Sequence, residues 1–356
     1  MTHGALSLVL LLGSVNAACT AYRPPPTTSA APPASAAAPV QVWTARAGRR
    51  LTGRVTLDQG TIYAAGVDRK VYALDLESGA IRWSSRLSGI VGGGVLVSGD
   101  TVYAASSRPQ GRVYALDRTL GRQLWRTGTG PVSAPLALVG GVLLVPTQRG
   151  ELVALDPRDG SRRWHRRVGT ARIAPISWGD GELIVATTDS IFRLNASDGA
   201  VRRRVRSPGT VLSPWLVRSD GLVAGTTDSL VVAFDGATLE PRWRVRLDAP
   251  VLDSPAAGGD TIYAATRRGT LYRIVTDSAA RAERIVELDW PVTAPVTIVH
   301  REILLGGADG VLRALRSDGA ELWRVQLWQP IELGPLPLPD GLLAIGGEGD
   351  LHRYRR

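Results

Sequence analysis

The sequence predicts an all-β protein, an eight-bladed β-propeller of four-stranded antiparallel blades whose ring is closed by the N-terminal strand completing the last blade. Three observations carry that expectation. Turns before a strand-like segment recur near Gly60, Gly99, Gly140, Gly179, Ser219, Gly258, His300 and Pro339, at spacings of 39 to 42 residues. Each unit holds short runs of β-branched and aromatic residues separated by turn formers. No unit contains an amphipathic helical pattern of about ten residues, which excludes helical repeats of similar length.

In chain order, residues 1–18 come first, with an apolar centre from Ala5 to Leu12 and small residues leading to Cys19, the pattern of a secretory signal peptide. The ending Ala17-Ala18-Cys19 resembles a bacterial lipobox, which implies that Cys19 is lipidated and becomes the first residue of the mature chain. Asn16 stands where a lipobox prefers leucine and no Lys or Arg precedes it, so cleavage by the ordinary signal peptidase is the alternative. Cys19 is the only cysteine, which excludes an intrachain disulfide and a cysteine metal site in the folded body. Residues 19–40 are rich in Pro, Ala, Ser and Thr, cannot form a core, and read as a semi-extended tether. At ~3 Å per residue the tether spans up to roughly 60 Å. The folded domain is expected over residues 41–356.

Within a unit, TIYAA (61–65) and VYALD (71–75) read as successive strands; the pair recurs at 101–105 with 113–117 and at 261–265 with 270–274. Asp-x-x-x-Gly follows, from Asp75 to Gly79, Asp117 to Gly121 and Asp156 to Gly160. The aspartate can accept from amides two or three residues on, and the glycine takes positive φ. Four residues past that glycine stand Trp83, Trp125, Trp164 and Trp323, and Trp243 holds the same place although Leu239 replaces its glycine. The fourth unit has Arg203 there, and the sixth (TDSAARAER) has lost the pattern. The last unit lacks this strand, which VQVWTARAG at 40–48 supplies with Trp43. These six tryptophans are expected to dock neighbouring blades, because a blade cannot bury its face alone. Each would bury about 150–250 Å².

The strand leading into each unit is marked by a small residue: Gly53, Gly93, Ala134, Ala174, Ser213, Ser254, Ala294 and Gly334, followed in six of eight cases by proline. Eight small residues in register are expected to crowd around the axis. Proline cannot donate a ladder bond, so this inner strand is expected to have one open edge.

The unit G-x-x-Y-A-A … G-x-V-Y-A-L-D-x-x-x-G-x-x-x-W resembles the pyrroloquinoline quinone (PQQ)-type propeller repeat, over about residues 40–356. Families with that repeat include quinoprotein alcohol dehydrogenases, extracellular sensor domains and the BamB outer-membrane assembly lipoproteins. Resemblance to the dehydrogenases would imply a quinone over a tryptophan, a calcium held by Glu, Asn and Asp, an aspartate base and a disulfide between adjacent cysteines. This chain has no second cysteine, and beyond the signal segment its only asparagine is Asn195, in a turn position. Asp253 and Glu332 fall near inner strands, but two isolated carboxylates make a poor calcium cage. His165, His300 and His352 lack metal-ligand spacing, no G-x-S-x-G elbow is present, and the glycines at 92–94 do not open a helix. No catalytic, cofactor-binding or metal-binding residue is therefore expected.

The formal charge of +10 and pI of about 10.5 invite a nucleic-acid reading. The arginines, however, are spread along the chain and alternate with apolar residues as on solvated strand faces, the densest run being Arg202–Arg204. No nucleic-acid partner is expected; an anionic surface or lipid headgroup is the weaker electrostatic reading. Resemblance to BamB implies a monomeric, non-catalytic lipoprotein facing the periplasm from the outer membrane, retained there with Thr20 after Cys19, and docking onto the β-barrel assembly protein. A propeller that binds an envelope polysaccharide or another periplasmic protein is the alternative.

Overall fold

The computed structural model describes residues 37–108, 111–132, 134–170, 176–177, 181–211, 213–219, 221–276 and 280–356. The signal segment, Cys19, most of the tether, and Ala174 with Pro175 lie outside the described residues. Those described form eight four-stranded antiparallel sheets, with no helix among them. Blade one shows the plan: Thr56–Asp58 innermost, then Thr61–Ala65, Lys70–Asp75 and, outermost, Ile81–Arg86. Blade eight takes Leu333–Leu338, Gly341–Ile345 and Asp350–Arg355 from the end of the chain, and Val40–Arg46 from its beginning. The closing pair is antiparallel, with Arg46 opposite Asp350 and Val40 opposite Arg355.

The two middle strands of a blade are buried on both faces, which is why TIYAA reads as a continuous apolar run. Successive side chains point to opposite faces. In blade one, Tyr63, Ala65, Val71 and Ala73 therefore meet Val102, Ala104, Tyr114 and Leu116 of blade two. Ile62, Ala64, Tyr72 and Leu74 meet Leu343, Ile345 and Leu351 of blade eight. The apolar core is thus divided among the junctions between adjacent blades, and the junction of blades eight and one is packed like the others.

The inner strand stands at the edge of each sheet and pairs with one neighbour. It is interrupted, not continuous. Val132 bridges Thr147, the chain steps out at Ala134-Pro135, and pairing resumes at Ala137–Val139. The register shifts in the same way at Gly93-Gly94 in blade two and at Gly334-Pro335 in blade eight. At Pro135 and Pro335 the physical reason is the missing N–H of proline, which fits a bulge and not a ladder position; at Gly93 and Gly94 it is the positive φ of the two glycines, 78° and 81°.

Candidate functional site

Four of the six repeat tryptophans make one joint. The Nε1–H of Trp43, Trp83, Trp125 and Trp164 donates to the carbonyl of Leu76, Arg118, Pro157 and Ala196 at 3.1, 2.9, 3.1 and 3.0 Å. Each acceptor follows the Asp or Asn that opens the next blade's outer hairpin. The indole also lies against that hairpin's glycine: a Cβ added to Gly79, Gly121, Gly160 or Gly199 would stand 2.4–2.9 Å from its ring carbons. These glycines hold φ between 68° and 73°, and the side chains of Asp75, Asp117, Asp156 and Asn195 accept from amides two or three residues on. Arg82 beside Asp75 holds that carboxyl well below the usual carboxylate range, helped by Ser78.

The variant joints are altered on both sides. Arg203 reaches Glu240 at 2.6 Å, next to Leu239, which occupies positive φ without being glycine. Trp243 packs against the core between blades five and six, as Ala280 and Ala282 of blade six do. In that blade Ile285 takes the indole's place and lies against Gly319 of blade seven. Blade eight has no outer hairpin, since its outer strand comes from the other end of the chain. Trp323 accordingly donates to Glu302 at 3.0 Å, and Arg356 pairs with the same carboxylate at 2.5 Å while lying over the indole.

The small residues meet one another between blades. A Cβ on Gly53 would strike Gly93 and Gly94, one on Gly93 would strike Ala134 and Pro135, and Gly334 stands against Pro295. Arg54 bridges Gly94 in parallel, and Thr293 donates to Ile331 at 2.7 Å across the same kind of gap. Ala294 is fully buried between blades seven and eight, and Ser213 accepts from Gly225 at 2.7 Å. Beside Ser254, burial pushes the Asp253 carboxyl up to about 6, with Arg267 opposing. Glu332 is held by Arg50 at 3.1 Å instead of standing with Asp253. Among the described residues, no three His, Cys, Asp or Glu side chains are grouped to hold a metal.

A cleft of about 480 Å³ opens at the seam of blades eight and one. Arg46, Arg49 and Arg50, at and just beyond the closing strand, form one side; Pro330, Glu332, Gly347 and Glu348 of blade eight, with Val67 of blade one, form the rest. Arg46 lies 3.7 Å from Asp350 and 3.9 Å from Glu348. Next to this cleft is the residue that the repeat-based reading missed: Trp328 is 87% exposed, the most exposed large apolar side chain among those described. It stands five residues beyond Trp323, an offset that falls on Gly48, Gly130 and Gly169 in three other units and on Ser88 and Asp248 in two more.

A family model described as outer membrane protein assembly factor BamB matches residues 35–176 and 173–287. The outer membrane protein assembly factor BamB of Nitrosomonas eutropha is 35% identical over 131 residues, which are 36% of this chain and 31% of that protein. Its counterpart from Burkholderia pseudomallei is 27% identical over 349 residues, 88% of this chain and 87% of that one. Among solved structures, BamB from Moraxella catarrhalis superposes with a TM-score of 0.77 at 18% identity, covering 90% of this chain and 100% of that one, a likeness of fold.

Proposed function

The chain belongs to the family of outer membrane protein assembly factor BamB, and on that premise we propose that it is a non-catalytic scaffold that binds protein partners during outer-membrane protein assembly. The family match, spread over most of the propeller, is the observation that carries this reading. The architecture is consistent with it: hairpins are short, and their polar side chains are engaged within the blades. A ring of this kind offers rigid loop surfaces that change little on binding. The partner is a component of the machinery that folds β-barrels into the outer membrane. In the same reading Cys19 is the lipid anchor and residues 19–40 the tether. Cys19→Ser would then release the protein from membrane pellets into the soluble fraction.

The test is to delete the gene and quantify heat-modifiable, folded β-barrels in the outer membrane. The expected result is their depletion, restored by the intact chain. Unchanged barrel levels accompanied by a cell-wall glycan defect would favour a polysaccharide-binding role instead. Incubation with quinone and calcium is expected to leave the melting temperature unmoved, since a bound cofactor would raise it.

A further inference from the structure

The turn from blade seven into blade eight places a tryptophan in a glycine conformation. Gly48, Gly130 and Gly169, at the equivalent offset, have φ of 78°, 88° and 96°, and Trp328 has φ of 62°. That region is disfavoured for any residue with a Cβ. Packing does not compensate, because the indole is 87% exposed. Nor is the turn loose. Leu327 and Ile331 on either side are buried, and the Leu327 amide donates to Gly310 at 2.8 Å. The Gly347 amide donates to Pro330 at 2.8 Å, and the Gln329 side chain bonds Asp350 and the Glu348 amide, both at 2.8 Å. A backbone clamped on both sides thus presents one large aromatic group to solvent, as interface anchors are presented.

Pro330, two residues on, lines the seam cleft. Glu332 is held by Arg50 and the Gln329 amide is bonded within the fold, while Arg46 lies 3.9 Å from Glu348 and 3.7 Å from Asp350. Arg49 is exposed, and no hydrogen bond or ion pair holds its guanidinium among the described residues. The Arg49 guanidinium is therefore the free group at the cleft, and its complement is a carboxylate.

We propose that Trp328 and Arg49 anchor an acidic polypeptide segment, which lies across the blade-eight and blade-one seam with an apolar side chain on the indole and an Asp or Glu on Arg49. This rests on the reading of the chain as a protein-binding scaffold, and it names where on the ring one partner binds and by what chemistry.

The test replaces Trp328 by the photo-crosslinker p-benzoylphenylalanine in the full chain, expressed in its own cells. Leu120, exposed in a hairpin on the opposite face, carries the same probe as control. The expected adduct is a polypeptide cross-linked through an Asp- and Glu-rich segment. A synthetic peptide of that segment is expected to bind the purified chain and to lose about tenfold or more in affinity with Trp328→Gly, and likewise with Arg49→Glu. Glycine suits this φ, so the first variant is expected to keep its melting temperature. The proposal is overturned by adducts no different from those of the control, by lipid, glycan or non-acidic adducts, or by a peptide indifferent to both substitutions. If outer-membrane assembly proteins co-purify equally with parent and Trp328→Gly, the anchor fails and the scaffold stands. If they co-purify with neither, the scaffold reading itself fails.

Discussion

Trp125 shows what one residue does in this ring. Its indole covers Gly160, donates to Pro157 and meets Tyr103 at a centroid distance of 6.0 Å. Trp125→Ala removes the buried part of the ring and one of two donors to the Pro157 carbonyl, which keeps the Tyr103 hydroxyl at 3.0 Å. The expected loss is about 2–4 kcal/mol in chemical denaturation, below that of a fully enclosed tryptophan because the ring is only partly buried. A denaturation midpoint equal to the parent's would contradict this role. Asp253 makes a pH-dependent contribution of the opposite kind. Its folded value of about 6 lies above the unfolded carboxylate value of about 3.9. The protonated form is favoured in the fold, so its contribution is fully present below pH ~4 and lost as pH rises through about 6. Asp253→Asn is expected to be more stable than the parent at pH 7.5 by about 1–3 kcal/mol, with the difference vanishing near pH 4. Parallel melting curves at both pH values would rule this out.

At the scale of the element, the outer hairpin and the preceding blade's outer strand act as one joint. In four joints an indole occupies the space where a Cβ on the hairpin glycine would be. In the fourth blade Arg203 replaces the indole, and Leu239 stands where the glycine would be. Arg203→Trp alone is therefore expected to destabilise by driving an indole onto Leu239. The double change with Leu239→Gly is expected to recover part of that loss, with a coupling energy of about 1–3 kcal/mol in a double-mutant cycle. Additive effects would show that the two positions are independent. The parts of this joint were legible in the sequence because Asp, Gly and Trp recur within nine residues of a unit, each with its own backbone or packing reason, even though each indole covers the glycine of the next unit. The interruption of the inner strand was not, because it depends on another blade. Gly53 and Arg54 lie against Gly93 and Gly94, about forty residues on, and no pattern within one unit reports that contact.

The whole molecule is a closed cycle of such junctions, each burying apolar faces that neither blade could bury alone. Removing residues 40–46 would expose the Asp350–Arg355 strand as an open edge and strip Trp43 from Leu76 and Gly79. The truncated chain is expected to melt at lower temperature, to lose cooperativity and to self-associate by size-exclusion chromatography. A monomer with the parent's melting curve would show that closure contributes nothing. Ring, blade number and closure could all be read from the repeat. The candidate surface could not be, since Trp328 lies outside the joint positions by which the tryptophans were sorted, and its exposure depends on how Leu327, Gln329 and Ile331 are held. The sequence offered no catalytic constellation; the functional reading came from family resemblance.

The central claim is that this ring holds proteins together during outer-membrane assembly, and purification of the tagged full chain from its own cell envelope tests it most directly. Components of the β-barrel assembly machinery are predicted to co-purify in near-stoichiometric amount after gentle solubilisation. Recovery of the chain alone, or with cell-wall glycan and unrelated enzymes, would contradict it.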